Sequence, residues 1–254
     1  MHVSGHLVLV TGGRSGIGAA VGAAVAAAGL RPLLCDLVAF PLEEPMAWQT
    51  PFDVSDEAAV TREVAAIEAE CGPLAGLVNA AGILGRMQRP EKLRMEDWDR
   101  EMAVDLRGTY LMCREVGSRM AARRMGSIVN IASVVAASSA PVHGYGPAKA
   151  AVVNLTMTLA AEWGPSGVRV NAVSPGFTRT PALERGFASG VMEEKRMTDI
   201  SALRRLVEPS EVACAVAWLL GDGASAITGI NLPVDAGFLC GVTWQAYGGL
   251  RGSS

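Results

Sequence analysis

No C-x-x-C pair occurs among the five cysteines of this 254-residue chain, Cys35, Cys71, Cys113, Cys214 and Cys240. An odd set without that spacing excludes a complete disulfide framework. It fits reduced thiols in a cytosolic compartment, each acting as a small buried hydrophobe. No apolar stretch approaches the length of a membrane span, and residues 7–10 are too short for a signal-peptide core. These gaps predict a soluble, cytoplasmic protein without a membrane partner. Basic clusters are missing as well: 22 Lys and Arg stand against 25 Asp and Glu, for a formal charge of −3, so a nucleic acid backbone finds no dense counter-charge. No histidine pair stands at metal-ligand spacing, so no metal is expected. Internal repeats and low-complexity tracts are lacking apart from alanine-rich helix surface.

What is present begins at residue 11. A short apolar run leads straight into Thr11-Gly12-Gly13-Arg14-Ser15-Gly16-Ile17-Gly18, followed by an alanine-rich helix. Gly12, Gly16 and Gly18 let the backbone approach a pyrophosphate, while the helix aims its amide donors and the positive end of its dipole at the same charge. Asp36 ends the second apolar run eighteen positions past Gly18, near the roughly 20 expected for a carboxylate that reaches the ribose hydroxyls of a dinucleotide. Such a carboxylate repels a 2′-phosphate, which favours NAD over NADP. Arg14 is the contrary signal, and ranks lower because a guanidinium in the loop can turn to solvent.

Apolar runs at 6–11, 32–36, 74–79, 127–132, 169–174 and 229–234 read as buried parallel strands, and helical patterns fall at 15–28, 57–70, 96–123, 145–163 and 210–220. This alternation predicts an α/β doubly wound parallel sheet in one domain spanning 1–254. Ligands of such sheets sit outside the carboxyl ends of the strands, where Gly12, Asp36, Asn79, Ser133 and Pro175 all fall. Residues 181–205 have weak periodicity and are the candidate substrate lid.

Tyr145-Gly146-Pro147-Ala148-Lys149 stacks a phenol and an ammonium one helical turn apart. The ammonium, like an oxidised nicotinamide ring, favours the phenolate and makes tyrosine a usable base. Ser133, ending the preceding strand, is placed to hydrogen-bond a substrate oxygen as charge develops on it.

With these motifs in this order, the chain resembles the short-chain dehydrogenase/reductase family over nearly its whole length. The residues that carry the likeness are the Thr11–Gly18 loop, Asp53-Val54, Asn79-Ala80-Ala81-Gly82, Ser133, Tyr145 with Lys149, Asn171 to Gly176, and Thr228-Gly229 with Val234-Asp235. The resemblance implies a Rossmann-like single domain, cofactor-dependent interconversion of a small-molecule alcohol and a ketone, and a homotetramer. It also implies that the glycine loop, Ser15 and Ile17 included, cradles the cofactor. Asp53 and Val54 would hold the adenine, Asn79 the adenosine ribose, and Thr178 and Thr180 the nicotinamide carboxamide. Lys149 would bind the nicotinamide ribose as well as assist Tyr145. Asp105 stands where the family carries an asparagine, and is kept as a member of the proton relay with its added charge.

The leading expectation is an NAD-dependent oxidoreductase acting on a secondary alcohol such as a sugar or polyol hydroxyl. Two others stay open at this point: an NADPH-using 3-oxoacyl-type ketoreductase, and a dinucleotide-sensing protein that kept the fold and lost the reaction.

Overall fold

The computed structural model describes residues 5–41 and 46–251. Six parallel strands form one sheet: β1 (Leu7–Thr11), β2 (Arg31–Cys35), β3 (Leu74–Asn79), β4 (Gly126–Ile131), β5 (Val168–Pro175) and β6 (Asn231–Val234). Their order is β2-β1-β3-β4-β5-β6, so the chain reverses its direction of travel between β1 and β3. That reversal opens a crevice at the carboxyl ends of the two strands. Beyond β2 a further edge is reduced to one bridge, Leu34 with Ala47, closed by Trp48 N donating to Leu34 O at 2.7 Å.

The five residues of β1 are all buried and alternate between two cores. Val8 and Val10 pack with helices α1 (Gly16–Ala27) and α8 (Pro209–Leu220) through Val21, Val25, Val212 and Val216. Leu7 and Leu9 face α2 (Glu57–Cys71) and α4 (Thr109–Arg123) through Val64, Ile67, Met112 and Val116. A strand apolar on both faces needs helices on both, which is the doubly wound layering expected from the sequence. α5 (Tyr145–Trp163) covers β4 and β5 on the α4 side.

Two elements differ from expectation. The single helix predicted over 96–123 is three consecutive pieces: α3 (Met95–Glu101), a π-helical segment Met102–Gly108, and α4. An inserted residue of this kind leaves the apolar periodicity almost intact, so a sequence pattern does not register it. It does re-aim side chains, and it turns Asp105 fully inward. The expected lid at 181–205 contains two short helices, α6 (Pro181–Ala188) and α7 (Glu194–Ile200). Arg179 ties them together with ion pairs to Glu184 at 2.7 Å and Glu194 at 2.6 Å. A last short helix, α9 (Phe238–Gly241), brings Phe238 edge-on to Phe177.

Candidate active site

Gly12 and Gly16 adopt positive φ, 65° and 57°, which turns the chain out of β1 and into α1. The turn is tight: a Cβ at Gly12 would lie 2.7 Å from the backbone of Ala81, and one at Gly18 would overlap the carbonyl oxygen of Gly12. Thr11 Oγ1 accepts from the amides of Ala80 (3.2 Å) and Ala81 (3.1 Å), fastening the exit of β3 beside the glycine loop. Ser15 is the N-cap of α1, yet its hydroxyl makes no cap hydrogen bond and stays available in front of the leading amides. Glycine cradle, free hydroxyl and a twelve-residue helix pointing its amino end at one spot fit a pyrophosphate. Ile17 is partly buried and packs its side chain against the α1 and α8 core. Gly18→Ala is expected to weaken dinucleotide binding at least about 100-fold and to lower Tm, since the new methyl forces apart the turn that forms the cradle. Titration of nucleotide fluorescence alongside a thermal melt reads both.

Asp36 sits just past β2 against this loop. Its Oδ2 accepts from the Arg14 amide at 3.2 Å and its Oδ1 from the Leu37 amide at 2.8 Å. Main-chain donors thus hold the carboxylate at the mouth of the crevice, while the Arg14 residue itself is exposed. Asp53 Oδ1 accepts from both the amide and the hydroxyl of Ser55, in the turn that leads to the N-cap Asp56 of α2. Val54 buries its side chain in the α2 core.

Asn79 lies at the carboxyl end of β3. Its side chain is buried beneath the crevice, where Nδ2 donates to Asn130 Oδ1 at 2.8 Å and Oδ1 has no partner. The amide thereby joins β3 to β4. Thr178 is likewise buried and donates its hydroxyl to Gly176 O at 3.0 Å. Thr180 caps α6 by accepting from Leu183 N at 3.3 Å. It also faces the glycine loop across the crevice, its Cγ2 3.4 Å from where a Cβ on Gly16 would be.

The end of β4 and the start of α5 bring four expected residues into one cluster. Lys149 is buried and donates from Nζ to Ile131 O at 3.0 Å, two residues before Ser133. The same Nζ lies 5.4 Å from the centre of the Tyr145 ring. Ser133 Oγ accepts from Val135 N at 3.4 Å, which leaves its proton to be donated. Tyr145 is half-buried. Asp105, from the π-helical segment, places Oδ1 3.6 Å from Lys149 Nζ and accepts there from the Ile83 amide at 3.0 Å. Its Oδ2 is buried with no hydrogen-bond partner. His143 is partly buried and joined through Nε2 to Gln88 O at 3.0 Å. It thereby fastens the loop after β3 to the approach of α5.

One residue near this cluster escaped the sequence reading. Glu101 is 4% exposed, and its carboxylate lies so close to Gly144 that a Cβ there would be 2.5 Å from Oε2. Only its place one helical turn before Asp105 could have drawn attention to it.

Burial drives the Asp105 carboxyl above its ordinary range, and the pull of Lys149 in the other direction does not overcome this. The folded state therefore binds this proton more tightly than the unfolded chain. Stability arising from this group is greatest below the unfolded carboxylate value of about 3.9 and falls as pH rises from there through the raised folded value. Asp105→Asn removes that dependence. Its Tm relative to wild type is expected to climb as pH increases from 4 to 7, and parallel Tm curves would contradict the account.

Known proteins resemble the chain over nearly its whole length. A family model described as Enoyl-(Acyl carrier protein) reductase matches residues 12–239. D-threitol dehydrogenase of Mycolicibacterium smegmatis is 37% identical over 246 residues, covering 93% of this chain and 94% of the relative. The chain belongs to the short-chain dehydrogenase/reductase family. Galactitol 2-dehydrogenase (L-tagatose-forming) of Cereibacter sphaeroides is 36% identical, with 93% and 96% covered. Among solved structures, one named ribose-5-phosphate isomerase from Brucella melitensis 16M superposes with a TM-score of 0.93 at 47% identity, covering 98% of both chains. The chain is thus an oxidoreductase-family protein whose family binds a nicotinamide dinucleotide. No helix among its described residues is long and apolar enough to cross a membrane.

Proposed function

We propose that this protein is an NAD-dependent dehydrogenase that interconverts a secondary alcohol of a polyol or sugar with the corresponding ketone. The observation that carries the reading is the Lys149 ammonium, buried and aimed at the Tyr145 ring beside Ser133, at the carboxyl end of β4. A bound nicotinamide dinucleotide supplies the hydride acceptor or donor, and every other task falls to side chains. Tyr145 takes the hydroxyl proton in oxidation and returns it in reduction. Lys149, fixed by Ile131 O and Asp105, sets its amine beside the phenol. Ser133 donates to the substrate oxygen. Asp105 steadies the ammonium as the relay member.

For the dinucleotide, the residues that fit are Gly12, Ser15, Gly16 and Gly18 at the pyrophosphate and Asp36 at the ribose diol. The Asp53-Val54 turn and the Asn79 main chain would take the adenosine, with Thr178 and Thr180 across from the glycine loop. NAD is favoured because Asp36 places a carboxylate where NADP carries its extra phosphate. The polyol class draws support from the relatives named for threitol and galactitol. Residues 181–205 act as the lid, and residues 1–254 as one cytoplasmic domain. Tyr110 on α4 and Met157 on α5 are exposed apolar residues suited to helix pairing in a homotetramer.

A fluorescence screen of threitol, galactitol and cyclic alcohols with NAD tests the reading, with NADH formation the expected result. Silence across the whole panel, with the dinucleotide bound, would favour a sensor. Turnover of an aldose phosphate without dinucleotide would point to the isomerase for which the Brucella structure is named.

A further inference from the structure

We propose that Arg107 is a positioning residue for the dinucleotide, strapping the turn Asp53-Val54-Ser55 in the shape that receives the adenosine half. The inference rests on the assignment of that turn to adenosine and adds the device that holds it.

The turn leads into α2, and its own bonds are local. Asp53 Oδ1 accepts from the amide and hydroxyl of Ser55, and Asp53 O accepts from the Asp56 amide at 3.1 Å. Just ahead of it, Phe52 N donates to Asp36 O at 3.2 Å, which sets the turn beside the carboxylate assigned to the ribose. The far side of the turn is held from another element. Arg107, in the π-helical segment, donates from Nη1 to Ser55 O and from Nη2 to Glu57 Oε2 at 3.4 Å. One guanidinium thus grips the last carbonyl of the turn together with the first residue of α2. Arg114 on α4 closes on the other oxygen of Glu57 at 2.9 Å. The next residue of the segment packs on the turn directly, since a Cβ at Gly108 would lie 2.8 Å from Val54 Cγ2 and 3.3 Å from Val54 C.

Exposure separates the two parts of this grip. The side chains of Arg107 and Glu57 are 51% and 52% exposed, and an ion pair so open to water contributes little. A charged donor on a main-chain carbonyl is the stronger bond, and it constrains the backbone itself. The residue type fits the task, because a planar guanidinium meets Ser55 O and Glu57 together where a lysine reaches one acceptor. The strap also has an anchored base. Asp105, two positions earlier, is fully buried and accepts from Ile83 N at 3.0 Å, so the segment is pinned in the core on one side and reaches the turn on the other. Among the described residues, every bond of Arg107 goes to the turn or to α2. Its loss should therefore be felt in adenosine binding and not in the chemistry at Tyr145.

The test compares Arg107→Met and Arg107→Lys with wild type in the full-length protein. Calorimetry gives the Kd for ADP-ribose, which needs no turnover, and steady-state kinetics with an alcohol substrate give the KM for NAD and kcat at saturating NAD. Methionine keeps an apolar stem and removes every donor. Arg107→Met is expected to raise both the ADP-ribose Kd and the KM for NAD about 5- to 20-fold, with kcat within about twofold of wild type. Arg107→Lys keeps the charge and a donor, and should bring both constants back to within about threefold of wild type. The proposal is overturned if Arg107→Met leaves the ADP-ribose Kd within about twofold, if kcat falls as far as binding does, or if Arg107→Lys is no better than Arg107→Met. Failure of the wild-type protein to bind ADP-ribose would sink the dinucleotide reading, and the strap with it. Wild-type binding that Arg107→Met leaves intact sinks the strap alone.

Discussion

Tyr145→Phe is expected to lower kcat for alcohol oxidation about 1,000-fold, with dinucleotide Kd within about twofold of wild type. Removing one oxygen deletes the group placed to accept the substrate proton, since the Asp105 carboxylate is fully buried and offers no face to a substrate. Lys149 is occupied with Ile131 O and Asp105. Ser133 accepts from Val135 N and has only its own proton to give. The ring itself survives in phenylalanine, so the packing beside Lys149 and the start of α5 is kept. A loss confined to kcat is what distinguishes proton transfer from substrate or cofactor binding. Rapid mixing with NAD and saturating polyol gives the comparison, and turnover within tenfold of wild type would defeat the mechanism.

The second large effect concerns cofactor choice. The wild-type protein is expected to bind NADH about 100-fold more tightly than NADPH, a difference of about 2.7 kcal/mol. Asp36 is held at the crevice mouth by the amides of Arg14 and Leu37 and cannot swing away without giving up both bonds. A 2′-phosphate brought to the same place meets a fixed like charge. Asp36→Ala removes the repulsion and also removes the acceptor for the ribose hydroxyls. NADH binding should therefore weaken while NADPH binding improves, and the ratio should fall to within about tenfold of unity. The exposed guanidinium of Arg14 then becomes free to meet the phosphate. Preference of the wild-type protein for NADPH in the same titration would reverse the assignment of Asp36.

The legible part of this site was carried by residues whose chemistry depends on main-chain shape or short spacing. Positive φ at Gly12 and Gly16, and the one-turn separation of Tyr145 and Lys149, follow from local rules that any helix or tight turn obeys. The commitments of Asn79 and Val54 were not legible, because each depends on a neighbour distant in sequence: Asn130 for one and the α2 core for the other. Glu101 was hidden for the same reason. Its carboxylate is wedged against two glycines, Gly85 and Gly144, drawn from two separate loops.

The sequence by itself determined the layering, the parallel sheet and the glycine cradle. Hydrophobic runs bounded by turns must be buried on both faces, and a glycine-rich turn before a helix concentrates amide donors wherever it occurs. Only the tertiary structure decided which polar groups remain free once the chain has closed. It turned Asp105 inward through a π-helical segment, sent the Asn79 amide to β4, and buried Glu101 against Gly85 and Gly144. Burial obliges each polar atom to find a partner, and the partner within reach is a matter of three-dimensional neighbours, which no spacing along the chain encodes.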